Sequence, residues 1–463
     1  MGSRRRARTG LESTIMSEDR FTRGSADLWH ELAFAEELTS NPSLARRNAE
    51  HICQQLVGIH VNPNPSLVPI RPIILPRPMR SSFDSAASYL VDLLHRVCWS
   101  ATKDPFELIR LVGMRPEQVP LLGAAGSQHE IDFSACNCRL DVLLKNGVPM
   151  FLEANFSAAN VDPIAVHFQL SAYENLYGLT PKRDDITAGE PFEGRARLYR
   201  KILRQRQAPE SVVIVGSLDT SDVGELRYYE AEANYLRAHG FESEFVAPAY
   251  FAAPHKHYSI ALKHYLSEYW KEMNLPIEAT ANAHADTLFL VPDSGRALSS
   301  KLLFAWLSSE STPLPEADRN FVRKHIPWTR RTERTEVEFD DRSWRLADLA
   351  IECREEFVLK PFSCCGGKGV LLGRTAAPDV WLRRVNEAIE ARDHILQRYI
   401  AADELKMDFF DRNAEKLYTT PVNYVLGAYV VDGMNAGSTI RHFPHSIPGV
   451  VNLALGASFN VVL

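Results

Sequence analysis

The segment 138–155 places the strongest local constraint on the fold. Two apolar runs, CRLDVLL and VPMFLEAN, lie on either side of a turn that contains Asn146-Gly147. Asn-Gly between two apolar runs is a strong hairpin signal, because both residues tolerate the positive φ angles of a tight turn. The pattern therefore predicts two adjacent antiparallel strands, one carrying Asp141 and the other Glu153.

Residues 211–247 predict a strand, a helix and a second strand. SVVIVG is typical of a buried strand, FESEFV of another, and Gly240 of the end of the helix between them. Apolar residues recur at helical spacing at Leu226, Tyr229, Ala233 and Leu236. Such a unit indicates a parallel crossover, which LFLV at 288–291 would extend. We therefore predict an α/β fold with a parallel sheet in this region.

The overall composition excludes several classes of protein. With 463 residues the chain is too long for one ordinary core and predicts two or three packed subdomains. Its net charge of −6 gives no general attraction to nucleic acid or to an anionic membrane. No apolar run approaches the roughly 20 residues that span a bilayer. We expect a cytoplasmic protein without nucleic-acid or membrane partners.

The seven cysteines do not form the pattern of a disulfide framework in a chain of this length. Cys136 and Cys138 form a C-x-C sequence, and Cys364 and Cys365 are adjacent. A zinc site built from the two pairs is an alternative, although no usual zinc spacing supports it. Reduced, buried thiols are the simpler interpretation.

The first cluster of chemical interest lies on the predicted hairpin and comprises Arg139, Asp141, Glu153 and Asn155. Two carboxylates and an amide oxygen are the ligands that Mg²⁺ prefers when it is bound to nucleotide phosphates. Arg139 shares a strand face with Asp141, from which it could reach a phosphate. Taken alone, the cluster is also explained by a solvated, charged hairpin.

The second cluster is Lys360 followed by FSCCGGKGV. Gly366, Gly367 and Gly369 allow the backbone to fold over phosphates, whose charge Lys360 and Lys368 could neutralise. The loop is not a Walker A loop, because Lys368 is followed by glycine and not by Ser or Thr. A simple turn is the alternative explanation.

The third cluster is ILQRYIAADE, at 395–404. An extended segment here could bind an adenine edge through Gln397, Tyr399 and Ile400, and Glu404 could bind the ribose hydroxyls. An amphipathic strand would explain the same pattern without a ligand.

Together, the three clusters resemble the ATP-grasp superfamily. VLKP…GGKGV is similar to the strand and flexible loop that close over the triphosphate, ILQRYIAADE to the hinge that holds adenosine, and RLDVLL…MFLEAN to the metal motif. The resemblance implies ATP and Mg²⁺ as cofactors. It implies Asp141, Glu153 and Asn155 as metal ligands, Arg139, Lys360 and Arg441 as catalytic residues, and the loop and hinge residues as nucleotide contacts.

The order of the motifs is that of a circular permutation, because the metal motif precedes the glycine loop. The chain thereby resembles the glutathionylspermidine synthase-like branch of the superfamily. The implied fold is a permuted ATP-grasp fold with an inserted Rossmann-like α/β domain. Its expected parts are a leader or artificial extension (1–15), a region with the metal hairpin (16–185), the Rossmann-like domain (186–320), and the lid, hinge and C-terminal strands (321–463).

The resemblance implies an ADP-forming ligase that joins a small-molecule carboxylate to an amine through an acylphosphate. Two rival hypotheses are a nucleotide-binding regulatory or accessory protein without turnover, and an unrelated α/β binding protein. Asp293 and Lys301 are further candidates for contacts near the nucleotide or substrate. For His442 and His445 we favour a surface or packing role over one in the acceptor pocket. The sequence identifies neither substrate nor the oligomeric state.

Overall fold

A computed structural model describes most of the chain and shows a mixed α/β architecture, as expected. The described residues are 38, 40–56, 66–158, 162–178, 189–216, 230–248, 256–271, 274, 276–283, 287–363, 366–444, 449–452 and 455–463. The predicted extension 1–15, Leu226, Tyr229 and His445 lie outside them, as do Cys364 and Cys365 of the alternative zinc site.

Thirteen α-helices, α1 to α13, occur in the described residues. In chain order they are Pro42–Leu56, Arg77–Ala101, Pro105–Leu111, Ser127–Phe133, Asp162–Tyr177, Pro191–Arg206, Ala231–Ala238, Ile277–Ala283, Ser294–Leu298, Leu302–Ser308, Glu316–His325, Leu346–Glu352 and Pro378–Ala391. No helix in the described part of the chain combines the length and apolar character that a membrane-spanning helix needs.

Seventeen strands, β1 to β17, form four sheets in the same residues. In chain order they are Leu67–Pro69, Asn137–Lys145, Val148–Asn155, Ser211–Gly216, Glu242–Val246, Ile260–His264, Leu288–Leu290, Thr329–Arg331, Glu336–Phe339, Arg342–Arg345, Phe357–Pro361, Leu371–Leu372, His394–Arg398, Leu405–Asp411, Lys416–Val431, Met434–Pro444 and Ser458–Val462. The predicted hairpin is confirmed as β2 and β3.

The largest sheet has seven antiparallel strands and is organised around the long strand β15. One edge of β15 pairs first with β14 and then with β2, while its other edge pairs with β16. Leu426, Ala428 and Val430 face one apolar core, whereas Tyr429 and Val431 face the other. This alternation buries both faces of the sheet, so that a single strand serves two cores.

A smaller antiparallel sheet has the order β12-β11-β13-β8. Leu359 of β11 and Leu396 of β13 point into a core that contains Trp381 of helix α13. Because side chains alternate along a strand, Lys360 and Gln397 project from the opposite face. The face that carries Lys360 and Gln397 also carries Ile395, which packs on Leu302 and Ala305 of helix α10. Both faces of this sheet are therefore packed on helices, and one of them also presents polar side chains.

The predicted parallel unit is confirmed as a four-stranded sheet with the order β5-β4-β6-β7. Val212 and Ile214 of β4 pack into the same apolar core as Tyr429 and Val431 of the large sheet. Val213 and Val215 pack into a separate cluster on the other face of the parallel sheet. Burial on both faces explains the unbroken apolar run SVVIVG.

We expect Trp381→Ala to lower the free energy of unfolding by about 3–5 kcal/mol, because it leaves a large cavity in the core of the smaller sheet. The Trp381 side chain is fully buried, and its Nε1 donates to the carbonyl oxygen of Ala350 at 2.7 Å. Chemical denaturation followed by circular dichroism measures the change. Leu382→Ala is the matched control, because Leu382 is exposed on the same helix. Equal effects of the two substitutions would contradict the packing described here.

Candidate functional site

The β2–β3 hairpin brings the predicted metal ligands together. Asn146 and Gly147 have φ angles of 50° and 72°, as a two-residue turn requires. The carboxylate of Asp403 accepts hydrogen bonds from the backbone N–H groups of both residues, at 2.7 and 2.9 Å. Asp141 and Glu153 lie on neighbouring antiparallel strands, as the sequence predicted. A β-bulge beside Asp141 shifts the register by one residue, which sets Asp141 opposite Glu153 and Arg139 opposite Asn155.

The charged residues of β2 all lie on one face of the large sheet. Cys138, Leu140 and Val142 are buried in one apolar core, so Arg139 and Asp141 project from the other face. Strand β15 runs alongside, with Gly427 opposite Asp141.

Gly427 provides the space that the Arg139 side chain occupies. A Cβ atom at this position would lie 3.2 Å from Cδ of Arg139 and 2.6 Å from Oγ1 of Thr439. A larger residue would displace the arginine or the strand that carries Thr439. Glycine is therefore the residue that fits between the two strands.

Four buried charges meet on this face. Nε of Arg139 donates to Oδ1 of Asp141 at 3.1 Å, and Nη1 donates to Oδ2 of Asp162 at 2.6 Å. Nη2 of Arg441 lies 2.7 Å from Oδ2 of Asp141, an ion-pair distance without hydrogen-bond alignment. Burial acts to raise the pKa of Asp141, but the two guanidinium groups outweigh it and hold that pKa well below its ordinary value.

Several polar atoms beside these charges have no hydrogen-bond partner among the described residues. They are Nε and Nη2 of Arg441, Oγ1 of Thr439 and Oη of Tyr429, and all are buried. Buried donors without partners are rare in folded proteins because each one costs desolvation energy. Strand β16 carries further partnerless buried atoms on its opposite face, at Ser438 and His442, so these atoms alone do not identify a ligand site.

The smaller sheet contributes a lysine to the same region. Nζ of Lys360 donates to Oε1 of Gln397 at 2.7 Å. Nε2 of Gln397 donates to Oγ1 of Thr329 at 3.2 Å and approaches the carbonyl oxygen of Leu152 on β3 at 3.5 Å. Gln397 therefore connects the lysine to the hairpin that carries Glu153.

A second lysine, Lys301, reaches the hairpin from the start of helix α10. Its Nζ lies 3.2 Å from Oε2 of Glu153, and its backbone N–H donates to the carbonyl oxygen of Phe362 at 3.0 Å. Phe362 lies four residues before Gly366, so Lys301 links the start of the glycine-rich segment to the β2–β3 hairpin.

The pKa of Lys360 is lowered to about 8, first because the ammonium group is buried and also because Lys301 is close. The carboxylates of Glu153 and Asp141 act in the opposite direction. Two cations and a carboxylate thus converge where the two sheets meet.

The glycine-rich segment has the backbone that the sequence predicted. Gly366, Gly367 and Gly369 have φ angles of 68°, 73° and 75°, a region that other residues rarely adopt. A Cβ atom on Gly367 would come within 3.3 Å of Val450, and Lys368 is exposed. The segment therefore lies against the residues that follow β16.

The predicted hinge residues are spread over buried and exposed positions. Gln397 and Ile400 are buried, whereas the ring of Tyr399 lies 3.7 Å beneath the guanidinium of Arg374. Glu404 is exposed and pairs with Lys406 at 3.5 Å. The nucleotide contacts assigned to these residues stay predictions.

Two of the additional candidates have other surroundings. Asp293 is enclosed by Lys263 and Ser267, and it accepts a hydrogen bond from the N–H of Leu121 at 2.9 Å, so it belongs to a separate buried network. His442 projects from the sheet face opposite to Arg441 and packs on Phe409, and burial lowers its pKa to about 3. These surroundings agree with a packing role for His442.

Sequence reasoning missed Asp162, which is almost fully buried and anchors Arg139. The only local signal was Asp162-Pro163, a pair typical of a helix start, and helix α5 does begin there. Its partner lies on a strand, a pairing that helix-start signals do not reveal. The buried hydroxyl of Thr439, which has no hydrogen-bond partner among the described residues, was missed for the same reason.

A metal ion on this face would need a mixed set of carboxylate and amide oxygens as ligands. No group of three or more His, Cys, Asp or Glu side chains in the described residues could hold a metal ion. The side chain of Glu153 is partly exposed. The side-chain nitrogen of Asn155 lies 3.5 Å from the carbonyl oxygen of Arg139, so the side-chain oxygen of Asn155 points away from that carbonyl. The oxygens of Asp141, Glu153 and Asn155 are of the types that fit Mg²⁺ when phosphates supply the other ligands, and their assignment as ligands stays a prediction.

The chain shares its fold with a protein of known structure. A glutathione synthetase-like effector from Globodera pallida matches with a TM-score of 0.57 and 10% sequence identity, over 91% of this chain and 97% of the effector. A candidate gamma-glutamylcysteine synthetase from Methylobacillus flagellatus KT has a TM-score of 0.36 and 10% identity, over 80% of this chain and 87% of its own. The second similarity is too low to support an argument. No protein-family model and no curated protein matches the sequence.

We expect the stability contributed by position 360 to increase with pH. Lysine titrates near 10.5 in the unfolded chain and near 8 in the folded protein, so the unfolded state binds more protons between these values. The free energy of unfolding of the wild type, relative to Lys360→Met, should therefore rise by about 3 kcal/mol from pH 8 to 10.5.

Urea denaturation at several pH values measures this difference. Lys406→Met, at an exposed position on strand β14, corrects for the general effect of removing a lysine. A difference between wild type and Lys360→Met that does not change with pH would show that Lys360 is not desolvated.

Proposed function

We propose that this chain is an ATP- and Mg²⁺-dependent carboxylate–amine ligase that forms ADP, with a circularly permuted ATP-grasp fold. The observation that carries the proposal is the meeting of two sheets at one site, where Lys360 and Lys301 approach the acidic hairpin. Basic groups on one side and oxygen ligands on the other suit a nucleotide phosphate with its metal ion. The similarity in fold to a glutathione synthetase-like protein supports the same class of function.

In the proposed reaction, a substrate carboxylate takes the γ-phosphoryl group of ATP, an amine attacks the acyl carbon, and phosphate leaves with formation of an amide. Bound Mg²⁺ would offset negative charge on the phosphates. Asp141, Glu153 and Asn155 would supply its protein oxygens. The carboxylate and amine are expected to be amino-acid or small-peptide metabolites, and their identity is a question for experiment.

The basic residues would act by positioning and by charge stabilisation. Lys360 and Lys301 lie where they can contact phosphate oxygens, and Gln397 holds the Lys360 ammonium group in one orientation. Arg139 and Arg441 would orient a second anionic group, either phosphate or the substrate carboxylate. Fixed donors of this kind lower the barrier to phosphoryl transfer because they need no reorganisation during the reaction.

The glycine-rich segment would protect the activated carboxylate from water. Its three glycines lack a Cβ atom and can take several backbone conformations at low cost, and the segment lies against the chain after β16. Closure of such a loop excludes water that would otherwise hydrolyse the intermediate.

We expect calorimetry to detect Mg·ATP binding to the wild type, and Lys360→Ala to weaken it by about 10–100-fold, because a charge-assisted hydrogen bond is lost. Lys406→Ala is the matched control, since it removes an exposed lysine from another strand. Wild-type protein that is folded but does not bind Mg·ATP would exclude the proposed function.

A screen of amino acids, small peptides and polyamines for ADP release separates a ligase from a nucleotide-binding regulator. A ligase should release ADP only with the correct pair of substrates, and Glu153→Ala should abolish this turnover without unfolding the protein. Tight Mg·ATP binding without ADP release in any mixture would favour the regulatory alternative.

A further inference from the structure

We infer that Asn137 and Arg195 are positioning residues, which hold the open end of the β2–β3 hairpin in the conformation that a metal–nucleotide complex requires. The inference rests on the proposed function, because this hairpin would hold Mg·ATP. It deepens that proposal by giving a role to two buried residues that are neither metal ligands nor phosphate contacts in the proposed site, and that no motif in the sequence marks.

Asn137 closes the end of the hairpin that lies opposite to its turn. It is the first residue of β2, and its Nδ2 donates to the carbonyl oxygen of Ser157, two residues beyond the end of β3, at 2.7 Å. The chain runs on from Asn155, a predicted metal ligand, past Ser157 to Asp162 at the start of helix α5. The contact with Asn137 therefore restrains the path between these two residues of the site.

Arg195 holds the Asn137 side chain from helix α6. Its Nε donates to Oδ1 of Asn137 at 3.1 Å, and its Nη1 donates to Oε2 of Glu232 on helix α7 at 2.5 Å. Oη of Tyr199 donates a further hydrogen bond to Oε1 of Glu232 at 3.1 Å. Helix α7 packs on strands β4 and β5. A chain of hydrogen bonds thus runs from a helix of the parallel sheet to the β2–β3 hairpin.

Burial makes this chain of hydrogen bonds restrictive. The side chains of Asn137, Arg195, Tyr199 and Glu232 are each at most 3% exposed. Buried polar groups are costly when they lose a partner, so a fully paired network permits few other arrangements. An amide suits position 137 because it offers an acceptor to the arginine and a donor to the carbonyl at the same time.

Gly194 lets helix α6 approach the large sheet closely enough for Arg195 to reach Asn137. A Cβ atom at Gly194 would lie 2.6 Å from Cβ of Ala436 on strand β16, closer than two such atoms come in proteins. Asn137 lies two residues before Arg139 on the same strand, and hence on the same sheet face. Arg195 therefore braces the face that carries the charges of the candidate site.

The first test measures Mn²⁺, used as a substitute for Mg²⁺, by electron paramagnetic resonance in the presence of ATP, and stability by urea denaturation. Wild type, Asn137→Ala and Asn460→Ala are compared. Asn460 is the matched control, because it is a fully buried asparagine of the same sheet whose Nδ2 also donates to a backbone carbonyl, that of Arg71, at 2.8 Å. Strands β15 and β16 separate its strand β17 from β2.

We expect Asn137→Ala to raise the Mn²⁺ concentration for half-saturation about tenfold, as loss of a contact that supports a metal ligand does, and Asn460→Ala to stay within about twofold of wild type. Each variant loses a buried hydrogen bond, so both should lower the urea midpoint. A residue with a structural role alone would not separate metal binding from stability in this way.

Arg195→Lys tests whether Arg195 acts through Asn137, and it serves if Asn137→Ala does not fold. Lysine keeps a positive charge beside Glu232, but one ammonium group does not replace the guanidinium that reaches both partners. The substitution should weaken Mn·ATP binding in the wild-type background and add nothing in the Asn137→Ala background, because effects within one network are not additive.

Hydrogen exchange of the Phe156 amide provides a measurement that needs no nucleotide. This N–H donates to Oγ of Ser299 at 2.9 Å and lies beside the restrained Ser157. Its exchange should be faster in Asn137→Ala and in Arg195→Lys than in wild type, because local opening becomes easier. In Asn460→Ala it should be unchanged.

The inference would be overturned if Asn460→Ala weakened Mn²⁺ binding as much as Asn137→Ala, or if Arg195→Lys kept its full effect in the Asn137→Ala background. Equal exchange of the Phe156 amide in all four proteins would overturn it as well. Failure of the proposed function has a different signature, since wild type would then bind no Mn·ATP while the exchange of Phe156 still responded to Asn137.

Discussion

The balance of charge among Arg139, Asp141, Asp162 and Arg441 is the interaction on which the candidate site depends. All four side chains are buried, and moving an unpaired ion from water into a protein costs several kcal/mol. Two arginines on one sheet face are tolerated only because two carboxylates are brought to them from a neighbouring position on the same strand and from the start of a helix. Helix α5, strand β2 and strand β16 must therefore take fixed relative positions before any of these charges is stable.

The two sheets of the site are joined by polar contacts and not by a shared apolar core alone. Gln397 links Lys360 to the β2–β3 hairpin, and Lys301 links Glu153 to the backbone at Phe362. Polar contacts of this type are replaceable, because a ligand with oxygen atoms can take over the donors that the carboxylate and the amide now occupy. A bound anion that took over these donors would therefore change the contacts that hold the smaller sheet against the β2–β3 hairpin.

Local patterns in the sequence predicted the strands of the hairpin and of the parallel sheet. They did not predict the side-chain contacts between segments that are distant in the sequence. The hairpin itself follows from Asn146-Gly147, but the two-residue turn alone would set Asp141 opposite Leu152. A β-bulge beside Asp141 shifts the register by one residue and sets Asp141 opposite Glu153, and no signal in the sequence predicted this shift. The parallel unit followed from the apolar run of β4, which is buried on both faces. Asp162 was not found, since its partner lies on another element. Gln397 was assigned to the adenine base from its place in the motif. Its hydrogen bond with Lys360 could not be predicted, because this bond depends on the pairing of β13 with β11.

The positions along the chain of the strands in the large sheet also determine when the site can form during synthesis. Strand β2 supplies the acidic residues early in the chain, but the strand that covers its open edge, β15, lies almost three hundred residues later. An uncovered edge strand can pair with other chains, so the nascent protein carries an aggregation risk until β15 has left the ribosome. Contacts of such long sequence separation also slow folding, because a large loop must close before they form. We therefore expect the central sheet to be the last part of the molecule to assemble and the part most dependent on chaperones.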